Sequence, residues 1–161
     1  MDEILEILKD NARLSADEIA SMTGKKPAAV AKKIKEYEKK NYILKYKTIL
    51  NQELIKEDTP QVEALIEVQV VPEKDMGFDR IAERIYRFPE VDSCYLLSGA
   101  YDLLLVIKGK DIHEVAGFVA EKLAPMEFVK GTATHFMLKR YKQDSCILKN
   151  VDEVKRPAIS Y

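Results

Sequence analysis

The chain has 161 residues, room for one domain or two small ones, and its 47% hydrophobic and 33% charged residues match an ordinary soluble globular protein. Its net charge of -1 hides an asymmetry, because residues 1–50 hold 11 Lys/Arg against 8 Asp/Glu while residues 51–161 hold 15 against 19. No apolar run reaches the roughly 18 residues of a membrane helix, Asp2, Glu3 and Glu6 break any signal-peptide pattern, and Cys94 and Cys146 lack metal-ligand spacing, so a cytoplasmic protein with two unpaired thiols is expected.

Ile4, Leu5, Ile7 and Leu8 form an apolar stripe that predicts a first helix near Asp2–Asp10. After the break at Asn11-Ala12-Arg13, Ser15-Ala16-Asp17-Glu18 is a capping box that opens a second helix to about Met22, with Ile19 and Met22 inward. Gly24 suits the left-handed position after that helix, and Pro27 suits the first turn of a third. Val30, Ile34 and Tyr37 repeat at i, i+4, i+7 and face the core, and Asn41 stands where the helix stops. The partial alternation from Tyr42 to Asn51 reads as a short two-stranded wing, and polar residues 51–61, with Pro60, read as a linker.

A second pattern follows. Val62 to Val71 alternates like a strand with Val62, Ala64, Ile66, Val68 and Val70 on one face, and Pro72 stops it. Phe78, Ile81, Ala82, Ile85 and Tyr86 make a helical stripe ended by Pro89. Val91–Leu97 and Tyr101–Ile107 are strands, the latter apolar enough to be central. Asp111 caps a helix running through Val115, Phe118, Val119 and Leu123 to Pro125, and Gly131–Tyr141 is a last strand. The order βαββαβ is the ferredoxin-like arrangement over residues 62–142, and the tail, residues 143–161, has no clear period.

Between Gly24 and Lys47 stand nine lysines and only two glutamates, Glu36 and Glu38. Lysines on a helix usually mark a solvated face, but these follow a helix-turn-helix pattern, continue into the expected wing and are scarcely balanced by acid, which points to phosphate. Lys25, Lys26, Ala28, Ala29, Lys32, Lys33, Lys35, Lys45 and Lys47 are the candidate DNA-contacting residues. Lysine and alanine offer little bidentate base reading, so recognition is expected to be sequence-tolerant and to depend on several heads binding together. Ser98-Gly99-Ala100-Tyr101-Asp102 reads either as a tight hairpin or as a small-molecule loop, in which free N–H groups and the Ser98 hydroxyl hold a carboxylate and Asp102 an ammonium group. His113 on an amphipathic helix is expected exposed and His135 in a strand packed; neither forms a metal set, and no side-chain constellation has a catalytic spacing.

The stretch Gly24-Lys25-Lys26-Pro27-Ala28-Ala29-Val30-Ala31-Lys32-Lys33-Ile34-Lys35-Glu36-Tyr37-Glu38-Lys39-Lys40-Asn41-Tyr42-Ile43 resembles the recognition-helix region of the Lrp/AsnC, or feast/famine, regulators. Ser98 to Asp102 resembles that family's more specific G-x-Y-D loop. The chain departs from the family where Lys26 replaces a capping serine, where Lys33 stands near a usual arginine, and where Asn41 replaces glycine. The resemblance implies an α+β protein: an N-terminal winged helix-turn-helix in residues 1–50 and a C-terminal ferredoxin-like effector-binding and oligomerisation domain. It implies double-stranded DNA as partner, self-association through paired sheets into dimers and often octamers, and an amino acid or related metabolite as effector. Ser98, Gly99, Ala100, Tyr101 and Asp102, with Thr132 and Thr134, would line that effector site. A non-enzymatic transcriptional regulator without cofactor or metal is the expectation. The alternatives are an effector-blind architectural DNA-binding protein and a metabolite-binding or enzymatic ferredoxin-like protein.

Overall fold

Asp2 has an extended backbone and turns its carboxylate back on the Ile4 N–H at 2.9 Å, so the first helix starts at Glu3. The computed structural model describes residues 2–51, 54–55, 61–71 and 77–148. In it the chain divides into two compact units, residues 1–50 and 51–161.

The first unit holds α1 (Glu3–Asp10), α2 (Ala16–Thr23) and α3 (Pro27–Lys39). The Ser15 hydroxyl accepts from the Glu18 N–H while the Glu18 carboxylate accepts from the Ser15 N–H at 2.7 Å, completing the expected capping box. Gly24 closes α2 at φ +65°, and Asn41 takes φ +60° just past α3. Ile4, Leu8, Ile19, Ala20, Val30 and Tyr37 are buried together, with Ile34 half-buried against them. Met22 does not join them: it is 62% exposed. The inward stripe of α2 is Ala16, Ile19 and Ala20, and a residue three beyond Ile19 lies on the opposite flank of that stripe from Ala20. The wing expected over Tyr42–Asn51 forms no paired strands within this chain. Nothing between Tyr42 and Leu50 offers the Asn-Gly or Gly-X needed to reverse a tight hairpin. Instead the segment leaves α3 through Tyr42 and Ile43, whose N–H groups both donate to the Tyr37 carbonyl, and continues without regular secondary structure.

In the second unit β1 (Val62–Val70), α4 (Phe78–Tyr86), β2 (Val91–Leu96), β3 (Leu103–Gly109), α5 (Ile112–Gly117, continuing as a wide π-helical turn through Leu123) and β4 (Val129–Phe136) follow the expected βαββαβ order. The four strands form one antiparallel sheet in the order β2-β3-β1-β4, with the most apolar strand, β3, inside it as expected. Ala64, Ile66, Val68, Leu103, Leu105 and Ile107 point from it into a core closed by Ile81 and Ile85 of α4 and Val115, Phe118 and Leu123 of α5. Gly109 lets α5 approach, since an added Cβ there would stand 3.0 Å from a Val115 methyl. Tyr86 leaves the α4 stripe and is 53% exposed, because the buried row Ile81–Ile85 already ends one residue earlier. His135 is exposed rather than packed: its neighbour Thr134 lies opposite Ile66 in the core row, so strand alternation turns His135 to the other face.

The last strand stops at Phe136 rather than Tyr141. Beyond it Lys142–Gln143 (β5) and Cys146–Ile147 (β6) pair as a small hairpin around Asp144 and Ser145, both at positive φ, inside what composition alone leaves as an unpatterned tail. The remainder of that tail from residue 149, Pro72, and residues 52–53 and 56–60 of the expected linker lie outside the described residues. No helix among the described residues is long and apolar enough to cross a membrane.

Candidate nucleic-acid interface and loop site

Helix α3 carries its charge in a row. Val30, Ile34 and Tyr37 face inward, so the positions diametrically opposite are Ala28, Lys32, Lys35 and Lys39, at i, i+4, i+7 and i+11. All four are exposed. Lys39 belongs to this stripe although it is absent from the candidates read off the sequence; counting the helical period from Ala28 finds it. Just before the stripe, Lys26 and Ala29 are exposed as well. Among the described residues none of Lys26, Lys32, Lys35 and Lys39 has an acidic partner, so their charge is open to an external anion. The first turn of α3 also lacks a side-chain cap, because Lys26 stands at the N-cap with the right extended backbone (φ -79°, ψ 136°) and no acceptor. Pro27 has no N–H and the Ala29 N–H donates to the Lys26 carbonyl at 2.9 Å, so the Ala28 N–H is the group of that turn left without a cap, at the end of the helix that also carries Lys25 and Lys26.

The other candidates are placed differently. Lys33 is half-buried: it donates to Glu36 at 3.3 Å and lies 5.0 Å from the centre of the Tyr37 ring. Glu36 also accepts from Lys40 at 2.7 Å, and these bonds, that from Lys40 the stronger, hold its carboxyl below the usual range. On that flank Lys33 and Lys40 share the one carboxylate of Glu36, while the stripe has no acid at all. Lys25 donates to Glu3 at 2.9 Å and ties the helix-turn-helix turn to α1. Lys45 and Lys47 are exposed but line an open groove of about 470 Å³ between α1 and residues 42–47, to which α3 contributes nothing. The Tyr46 hydroxyl donates to Glu38 at 3.0 Å and fixes this segment along α3. At the base of the unit the Tyr37 hydroxyl bonds the Asp2 carboxylate, a bond joining the start of α1 to α3 that neither residue's spacing reveals.

In the second unit the loop 98–101 is closed by the Leu97 N–H donating to the Asp102 carbonyl at 2.8 Å. Ser98, Gly99 and Ala100 are exposed and Tyr101 is half-buried. Gly99 is not at positive φ, and a Cβ added there would meet nothing within 4 Å. Neither chain reversal nor packing among the described residues demands glycine at that position. Asp102 is held to β1: its N–H donates to the Val68 carbonyl at 3.1 Å, and one oxygen of its carboxylate accepts from the Val70 N–H at 2.8 Å. It therefore clamps the loop to the end of β1. Thr132 sits opposite Val68 and Thr134 opposite Ile66, so both lie across β1 from the loop. Thr132 shares a rung with Leu103 at two strand spacings, about 10 Å, and Thr134 is one pleat further away.

Two family models divide the chain between them. Residues 3–43 match the winged helix-turn-helix DNA-binding model, and residues 63–147 match the Lrp/AsnC ligand binding domain. The chain is 42% identical over 158 residues to the uncharacterized HTH-type transcriptional regulator YugG of Bacillus subtilis, spanning 98% of this chain and 95% of that protein. It is 27% identical over 146 residues to the leucine-responsive regulatory protein of Haemophilus influenzae, spanning 91% and 86%. Its structure is similar to that of a transcriptional regulator from Neisseria meningitidis solved as a complex with L-Met, at 26% identity and a TM-score of 0.68 over 89% of this chain and 93% of that one. With its helix-turn-helix unit and its βαββαβ unit each matched in order, the chain belongs to the Lrp/AsnC family of transcriptional regulators.

Proposed function

We propose that this chain is a sequence-tolerant, cytoplasmic regulator that holds double-stranded DNA through the Ala28, Lys32, Lys35 and Lys39 stripe, with Lys26 and the open first turn of α3 on an adjoining phosphate. The observation that carries the reading is the stripe itself: a row of exposed lysines without acidic partners among the described residues, directly opposite the core of the unit, beside a flank whose two lysines are tied to Glu36. Lysine supplies affinity and salt dependence but no bidentate base reading, and Ala28 and Ala29 offer only a surface for a thymine methyl.

The second unit then supplies control. An amino acid or related metabolite sits at Ser98 to Tyr101, where the exposed loop and the unconstrained Gly99 leave room for something from outside the chain. Asp102 shapes that loop from behind rather than meeting the effector. Copies of the chain pair through the sheet face that the helices leave uncovered, and such pairs assemble further. If the effector favours one arrangement of the pairs, it resets the spacing of the DNA-reading heads, and multivalent binding amplifies a small difference in affinity.

Fluorescence anisotropy of a labelled duplex in rising salt tests the interface. The Lys32→Ala/Lys35→Ala protein should bind more weakly on every sequence, and the slope of log affinity against log salt should fall by about two. Lys33→Ala should change the slope far less. A double variant that loses one sequence and keeps the others would refute the phosphate role. Thermal shift across the twenty amino acids tests the effector; a flat panel favours the effector-blind architectural reading.

A further inference from the structure

We infer that the groove between α1 and residues 42–47 is a second small-molecule site, one that takes an unbranched aliphatic carboxylate of medium length.

The groove holds about 470 Å³, within the roughly 300–1,000 Å³ usual for small-molecule sites. Its apolar lining is aliphatic. Leu8 is buried, Leu5 and Ile43 are half-buried and Leu44 is 84% exposed, so the lining runs from the core of the helical unit out to solvent. Ala12 also lines the space and is too small to fill it.

Every charged side chain of the lining is a cation. Lys9 stands on α1, and Lys45 and Lys47 stand on the facing segment. All three are exposed, and none has an acidic partner among the described residues. Glu38 accepts from the Tyr46 hydroxyl at 3.0 Å but is not part of the lining. An apolar floor with cations on both sides selects an apolar body with an anionic head. The lysine stems extend the apolar wall, and their ammonium groups meet the head at the wet rim. An amino acid fits poorly, because its own ammonium group would face the lysines. A nucleotide fits poorly too, because Leu5, Leu8, Ile43 and Leu44 offer no aromatic plane on which a base could stack.

The segment on one side of the groove is the route by which the chain leaves the helix-turn-helix unit. Its ties to α3 are the Tyr42 and Ile43 N–H bonds to the Tyr37 carbonyl and the Tyr46 bond to Glu38. A carboxylate seated in the groove adds a tie to α1 and stiffens that exit.

Equilibrium dialysis of labelled decanoate against the intact chain, below its micelle-forming concentration, tests the site. One decanoate should bind per chain, and affinity should rise about two- to fourfold for each CH₂ added from hexanoate through octanoate to decanoate. Leu44→Asp, and separately Lys9→Gln/Lys45→Gln/Lys47→Gln, should each weaken binding by about tenfold. The substituted side chains are exposed, so both variants should keep the wild-type melting temperature. Decyltrimethylammonium, with the same tail and a cationic head, should bind at least about tenfold more weakly than decanoate. Amide hydrogen exchange at residues 44–47 should slow when decanoate is present. A wild-type chain that shows no saturable binding overturns the site. So do variants that both bind as tightly as the wild type, a cationic amphiphile that binds as well as the acid, or exchange at residues 44–47 that decanoate leaves unchanged.

Discussion

Tyr37 shows how one side chain joins two roles. Its ring is 5% exposed and closes the helical core, while its hydroxyl holds the Asp2 carboxylate that caps α1. Burial, and then the bond to Asp2, push its pKa from 10.0 up to about 12. The neutral phenol is thus favoured in the folded state; its contribution is complete below pH 10 and is lost as pH rises toward 12. Urea titrations of the residue 1–50 unit should show stability falling across that window in the wild type, and a shallower fall in Tyr37→Phe. Asp102 is the second such residue. Asp102→Ala strands the Val70 N–H and should destabilise the second unit by about 1–3 kcal/mol, read in calorimetry. Asp102→Asn keeps an acceptor but no charge. If the carboxylate only shapes the loop, that variant retains both the melting temperature and the effector response; loss of the response alone would place the charge on the ligand.

At the scale of elements, α3 combines a favourable first residue with a poor cap. Pro27 is preset for the first turn, but the Lys26 side chain offers no acceptor to it, and the Ala28 N–H is left without a cap. Because Lys26 already has N-cap backbone angles, Lys26→Ser should stabilise the helix-turn-helix unit by about 0.5–1 kcal/mol in thermal melts. It should weaken DNA binding at low salt, since a charge is lost with it. The comparison separates what the helix start does for folding from what it does for phosphate. The capping box at Ser15, the left-handed Gly24 and the Asp111 cap, which accepts from the Glu114 N–H at 2.8 Å, were all legible in sequence because each is a contact within five residues. The paired wing was misread because alternation over a short segment signals extended backbone without naming a strand to pair with. The hairpin after β4 escaped for the converse reason: Asp144 and Ser145 turn at positive φ without the glycine that usually announces it.

At the scale of the whole molecule, the proposed lysine-only head would bind weakly alone and would gain strength from number. A duplex carrying two correctly spaced sites should bind the paired protein about 10² or more tighter than one site of the same sequence, with the gain abolished when the spacer forbids simultaneous contact; equal affinity for the two duplexes would contradict the multivalent reading. From residues alone came the order of the elements, the two-part organisation, the basic helix and the loop, because periodicity, caps and charge runs are local properties of a chain. The tertiary structure decided which of those residues are available. It spends Lys33 on Glu36 and Tyr37, leaves Lys32 and Lys35 open, and fastens Asp102 to β1. Those outcomes depend on groups distant in sequence, or on which side of an element faces the core, and only packing of the whole unit brings such groups within reach of one another.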